Sequence, residues 1–324
     1  MPASIKWIEG LGSETSVEDA ARRSLQPRLS AVSHLLPMAA HLASHDVEHV
    51  HQLRVATRRA TAALKLYGDC VPRKQFRWFK NRLRKIRRAA GDARDLDVLA
   101  DRLAREYGER VSPVIEFIER ERTAVQPAIV RVAERCRSND RLVRKTAKLL
   151  QSIQMPAVEG QPTEARSFRG WSAAQFAATA ELFSVAMPTE SSTPVELHQF
   201  RIRAKALRYS IELVASAFDP ALRKSLYPLI EKLQERLGTI QDHVAAAARC
   251  RTWESNTRDE VLQETLRELA EAEDRGLIDA IRVFQAWWTD DRVVKVQELL
   301  KLPLVPTLGL GTHDADAPAA DVPA

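Results

Sequence analysis

The chain has 324 residues, 45% of them hydrophobic, and carries 49 Lys and Arg against 43 Asp and Glu, for a formal net charge of +6. That length can bury a core of one or two domains. Three scattered cysteines with no C-x-x-C spacing argue against a disulfide framework and fit a reducing compartment. Met1 to Gly12 lacks a secretion-signal pattern, and no apolar run approaches the roughly 18–20 residues that span a bilayer. A soluble, cytoplasmic protein with no membrane partner is expected.

Period-2 alternation is absent, and Ala, Leu, Arg and Glu recur at helical spacing along most of the chain, which predicts an all-α fold. After an N-terminal extension (1–15), helices are expected near 16–44, 46–69, 72–90, 92–107, 113–137 and 140–153. A linker (154–164) follows, rich in Pro and Gly. A second set is expected near 165–186, 194–217, 219–237, 239–256, 258–289 and 291–301, then a disordered Pro/Ala/Asp-rich tail (302–324). Each set thus holds about four long helices plus shorter ones. Asp46 and Thr193 sit where a short oxygen side chain caps a helix, and Thr193-Pro-x-Glu196 forms a capping-box pattern. Gly91 and Gly238, followed by Asp92 and Thr239, predict one helix ending and the next beginning.

The two sets share a phrase. His51-Gln-Leu-Arg54 and His198-Gln-Phe-Arg201 lie 147 positions apart, and the same offset pairs Arg58 with Lys205, Leu66 with Leu213, Lys85 with Lys232, Gly91 with Gly238 and Asp95 with Asp242. Matches held over a 45-residue stretch without a gap predict an internal duplication, and so two pseudo-symmetric helical bundles: a first repeat over 16–153 and a second over 165–301.

Charge follows the repeat. At 100° per residue, His51, Arg54, Arg58 and Lys65 fall within about 60° of helix surface, with Leu53, Ala56, Ala60, Ala63, Leu64 and Tyr67 on the opposite side. His198, Arg201, Lys205 and Arg208 repeat the stripe, while Glu212 stands where Lys65 does. From Val71 to Arg94 there are ten basic residues and one acid, Asp92. Arg73, Arg77, Lys80, Arg84, Arg87 and Arg88 share one helix face. Stripes of one sign, rich in Arg, suit phosphate oxygens better than a merely solvated surface would require. Side by side they would form a positive trough. Each histidine, set among arginines, is read as a phosphate hydrogen-bond donor; a structural, metal-binding or phospho-accepting role is the alternative. Asp95 and Asp242 serve as helix-dipole acids or hold an arginine in place. No cofactor or metal is expected.

These motifs resemble a family. His51-Gln-Leu-Arg-Val-Ala-Thr-Arg-Arg59 and Arg87-Arg-x-x-Gly91-x-x-Arg94-Asp-Leu-Asp97-Val98 resemble the first half of a CHAD (conserved histidine α-helical) domain. Leu197-His-x-x-Arg-Ile-x-x-Lys205-x-Leu-Arg208-Tyr209-x-x-Glu212 and Gln234-Glu-x-Leu-Gly238 resemble its second half. The resemblance covers about residues 16–301. It implies a basic cavity or groove between two helical halves, binding of inorganic polyphosphate, and in bacteria association with polyphosphate granules. The family's basic positions fall on His51, Arg54, Arg58, Arg59, Arg87 and Arg88, and on His198, Arg201, Lys205 and Arg208. Lys65, Arg77, Lys80, Arg84, Lys85 and Lys232 join them as candidates from the charge pattern. Thr61 stands where relatives often have another arginine, and Glu231 and Glu235 replace the counterparts of Arg84 and Arg88, so a weaker grip is expected from the second half. No segment resembles the triphosphate-tunnel domain of many relatives, with its Glu-x-Glu-x-Lys strands, so its catalytic activity is not carried over. The expectation is a non-catalytic polyphosphate-binding protein. The alternatives are a nucleic-acid binder using the same surface, a phosphate-processing enzyme, and a helical scaffold whose charge serves solubility.

Overall fold

The computed structural model describes residues 6–12, 15–137, 140–155 and 167–304. Among these residues the fold is all-α. Ten helices follow one another: α1 (Val17–His41), α2 (Glu48–Leu66), α3 (Arg73–Tyr107), α4 (Ser112–Arg137), α5 (Arg141–Gln151), α6 (Phe168–Val185), α7 (Pro194–Val214), α8 (Tyr227–Glu254), α9 (Glu260–Trp287) and α10 (Asp290–Lys301). Most of the expected linker, from residue 156, and the expected tail from residue 305 lie outside the described residues.

Local chemistry sets several starts. Ser16 and Ser167 accept hydrogen bonds from the third backbone N–H of α1 and α6, at 3.2 and 3.1 Å. The Thr193 capping box forms as its sequence predicts, with the Glu196 side chain accepting from the Thr193 N–H at 2.7 Å. Asp46 lies one residue ahead of the cap position of α2 and still accepts from the Glu48 N–H at 2.8 Å.

The expected helix breaks at Gly91 and Gly238 do not occur. α3 runs unbroken for 35 residues and α8 for 28, each burying its glycine. α3 stops instead at Gly108, whose φ of +61° is the left-handed geometry that glycine adopts at a helix end. Thr239 is no cap; its hydroxyl donates back to the Glu235 carbonyl within α8.

The halves share their interior. α2 packs against α3 and α7 against α8, while α2 meets α7, α4 meets α9 and α1 meets α6 across the middle. Phe168 N–H donates to the Thr15 carbonyl at 3.2 Å, tying the starts of α1 and α6. One apolar core runs through both halves, from Leu25 and Leu53 to Phe200 and Ile230. A second joins Leu99 and Leu103 of α3 and Ile118 of α4 to Ala246 and Cys250 of α8 and Leu266 of α9. At roughly 1.5–3 kcal/mol for each large side chain buried, this shared interior fixes how the halves face each other.

The same contacts carry one buried ion network across the middle. Glu212 on α7, 1% exposed, accepts from Arg59 Nε on α2 at 2.9 Å and from the Tyr227 hydroxyl at 2.8 Å. Arg208 Nε stands 4.0 Å away.

Candidate functional site

The α2 stripe and its α7 counterpart face each other across a cleft of about 460 Å³. Sixteen residues line it, and they fall into eight pairs, every pair 147 positions apart: His51 and His198, Arg54 and Arg201, Arg58 and Lys205, Arg94 and Gln241, Asp95 and Asp242, Val98 and Ala245, Leu99 and Ala246, Arg102 and Arg249. α2 and α7 supply the first three pairs. The C-terminal parts of α3 and α8, beyond the glycines, supply the rest. The floor at Leu99 and Ala246 belongs to the second apolar core, so the cations stand on a rigid base.

Gly91 makes room for an arginine, and Gly238 does so only loosely. A Cβ on Gly91 would come within 3.1 Å of Arg54 Nη1, and one on Gly238 within 4.0 Å of Arg201 Nη2. Sequence patterning reads these glycines as helix ends, but both lie inside uninterrupted helices, and at Gly91 the missing side chain lets a guanidinium lie close. Arg54 then pairs with Asp95 at 3.2 Å, which is the arginine-holding role considered for that acid.

The remaining charge is largely uncompensated. Arg102 is held by Glu106 at 3.1 Å and by the fully buried Glu273 at 2.9 Å, which also bonds His243 at 2.7 Å. Arg58, Arg94, Arg201, Lys205 and Arg249 have no acidic partner within 4 Å among the described residues. Arg58 Nε and Arg201 Nε are buried without a hydrogen-bond partner among those residues. Donors in that state cost free energy until an acceptor arrives.

Burial and mutual repulsion show in the acid–base properties. Lys205 is pushed down to about 7, first by burial and then by the charges of Arg201, Arg58, Arg208 and Arg54. Burial likewise lowers Arg58 and Arg201. His51 is lowered by burial and then by Arg94, with Glu48 opposing and Arg58 and Arg54 adding to the fall. Asp242 is raised, because burial outweighs the pull of Arg201. The cleft therefore holds more positive charge than it can comfortably keep.

The histidines differ. His198 Nδ1 bonds the side-chain oxygen of Gln241, whereas the His51 ring lies near Arg94 and has no hydrogen-bond partner among the described residues. Among the described residues no three His, Cys, Asp or Glu side chains come together to hold a metal ion.

Not every candidate reaches the cleft. Arg59 is committed to Glu212, and Arg208 lies between Glu212 and Glu231 with its guanidinium 5.3 Å from the Tyr209 ring. Lys65, Arg77, Lys80, Arg84, Lys85, Arg87, Arg88 and Lys232 are exposed and outside the lining. The cleft joins the α2 stripe to the part of α3 beyond Gly91, so the expected pairing with the basic run before Gly91 is not what encloses it. Arg94, part of the family motif but not among the binding candidates, enters the lining, as do Arg102, Arg249 and Gln241, which sequence patterning did not single out. Extending the same offset seven residues past Asp95 reaches Arg102 and Arg249, so a signal for that pair was present.

Among the described residues, no helix is long and apolar enough to cross a membrane. The family model for the CHAD domain matches residues 25–251. Among solved structures, the crystal structure of the CHAD domain from the plant Ricinus communis is similar with a TM-score of 0.66 at 20% identity, covering 91% of this chain and 95% of that one. PptA from Streptomyces chartreusis is similar with a TM-score of 0.57 at 16% identity, covering 85% of this chain and 99% of that one. At such identities the likeness is one of fold. No curated protein matches the chain. Two facing helical halves with paired histidines and arginines, and a family match over most of the chain's length, place this protein in the CHAD domain family.

Proposed function

We propose that the cleft binds inorganic polyphosphate and performs no chemistry on it, the protein acting in the cytoplasm at polyphosphate granules. Membership of the CHAD family carries the choice of polyanion. The single observation that carries the choice of site is a cleft in which five of seven cations lack an acidic partner among the described residues. A phosphate chain supplies what these residues are missing. Its oxygens accept from the orphaned Arg58 and Arg201 Nε groups, and its charge restores Lys205 to the protonated form. Arginine forks fix individual phosphates, and Lys205 adds charge without strict geometry. Association releases counterions from the chain, so affinity falls steeply as salt rises. Val98, Leu99, Ala245 and Ala246 are aliphatic and offer no ring on which a base would stack, which favours polyphosphate over nucleic acid.

The test is titration of the protein with polyphosphate at several salt concentrations, beside Arg58→Ala/Arg201→Ala. At about 1.5–3 kcal/mol for each charged hydrogen bond, the double variant is expected to bind at least about a hundredfold more weakly, with a shallower salt dependence. Equal affinity for the two proteins, or displacement of polyphosphate by duplex DNA at equal phosphate concentration, contradicts the proposal. So does phosphate release that depends on divalent metal and is lost in His51→Ala.

A further inference from the structure

The cleft-facing side of α3 does not stop at the cleft. At 100° per residue, Arg73, Lys80, Arg84 and Arg87 share with Arg94 and Arg102 one sector of about 80°. The outer four, Arg73, Lys80, Arg84 and Arg87, are all exposed. Among the described residues, the ion pairs made by α3 all lie beyond Gly91, which leaves the outer half with one sign of charge and no internal compensation. At 1.5 Å per residue, the face from Arg94 back to Arg73 is about 30 Å long.

The counterpart on α8 is built differently. Tyr227 and Glu231 stand 147 positions from Lys80 and Arg84. Tyr227 is tied to Glu212, and Glu231 pairs with Lys6 at 3.3 Å and with Arg208 at 3.7 Å. Trp7 packs edge-on against Tyr227 at 4.9 Å, so the N-terminal segment lies across this part of α8. The outer face of α3 is cationic and open, while the matching stretch of α8 carries a tyrosine and a paired glutamate in place of two cations and is overlaid by Lys6 and Trp7.

We propose that a polyphosphate chain longer than the cleft leaves it on one side only, along the outer face of α3. This rests on the cleft reading and adds a direction and a length dependence to it. A short chain is held by the cleft alone. A long chain gains further contacts with Lys80, Arg84, Arg87 and Arg73 and releases further counterions, so affinity rises with chain length until the α3 face is covered. The second half contributes nothing to that rise.

The test compares tripolyphosphate with long-chain polyphosphate on the full-length protein. Lys80→Gln/Arg84→Gln/Arg87→Gln alters surface side chains only. For long chains it is expected to weaken binding by about tenfold or more, and to reduce the slope of log affinity against log salt by about 2, at about 0.7 for each phosphate left without its cation. Tripolyphosphate binding by the same variant should stay within about twofold of the parent, since each changed residue is outside the cleft. Lys224→Gln/Lys232→Gln in the second half should change neither ligand. Equal losses for both ligands, no loss for the long chain, or the same loss in the second-half variant overturns the one-sided exit while leaving the cleft reading intact. If the unaltered protein binds neither ligand, the cleft reading falls and takes this inference with it.

Discussion

In the first half Arg94 stands beside His51 and leaves the ring unbonded among the described residues, whereas in the second half Gln241 takes the matching place and holds His198. Lys65 is exposed at the end of α2, while the residue at the same position of α7, Glu212, is buried and collects Arg59 and Tyr227. Gly91 touches Arg54 closely, and Gly238 leaves Arg201 a looser fit. At these positions the second half turns its polar groups inward, yet among the cleft cations all three of the second half (Arg201, Lys205, Arg249) lack an acidic partner among the described residues, against two of four in the first (Arg58, Arg94). Repeated positions thus need not carry repeated roles. Here the Glu212 position braces the structure in the second half, while the first half brings four cations to the cleft (Arg54, Arg58, Arg94, Arg102), two of them held by acids, and the second brings three (Arg201, Lys205, Arg249).

The sharpest way to break this comparison is at the Lys65 and Glu212 positions. Glu212→Ala removes the buried carboxylate that accepts from Arg59 and from the Tyr227 hydroxyl, and is expected to cost about 3–5 kcal/mol in denaturant unfolding. Lys65→Ala, exposed at the equivalent place, should stay within about 0.5 kcal/mol. Similar costs for the two would mean that the halves are braced alike.

Next in size is the effect of Lys205. Burial and the neighbouring arginines push its side chain down to about 7, far below the usual lysine value, so folding holds it against its preferred charge. The unfolded chain binds more protons than the folded one between about 7 and the usual lysine value near 10.4, so this group makes stability rise with pH through that window. Its cost is fully present below about 7. Lys205→Met should therefore stabilise the free protein at pH 6 by thermal melting and weaken polyphosphate binding at the same pH. Polyphosphate affinity should fall as pH rises through 7 in the parent, and calorimetry in buffers of different ionisation enthalpy should show proton uptake on binding. A pH profile unchanged by Lys205→Met would show that another group sets it.

The glycines give the smallest and most local contrast. Ala in place of Gly favours a helix interior by up to about 1 kcal/mol. Gly238→Ala meets Arg201 at ordinary contact distance, so it should raise stability and leave affinity nearly unchanged. Gly91→Ala must displace Arg54 by a few tenths of an ångström, so it should lower affinity by a few fold whether or not stability rises. Equal effects on binding would remove the distinction between the two sites.

Much of this was legible in the chain itself. The helical phase of α2 separates the core residues Leu53, Ala56, Ala60 and Tyr67, all buried, from His51, Arg54 and Arg58, all in the cleft. That separation follows from periodicity alone. The uninterrupted course of α3 through Gly91 was not legible, because local helix-ending signals are overridden where a buried glycine is needed to seat a guanidinium. The pairing of Arg59 with Glu212 joins residues 153 positions apart and depends on how α2 crosses α7, which local pattern does not encode. For the same reason the covering of α8 by Lys6 and Trp7 had no signal in either segment.

The central claim is that an anionic phosphate chain lies between the facing stripes of α2 and α7. A crystal of the protein grown with tripolyphosphate tests it most directly. The account predicts phosphate density within hydrogen-bond distance of Arg58, Arg201 and Lys205. Density confined to the exposed face of α3, with the cleft holding only water, would contradict it.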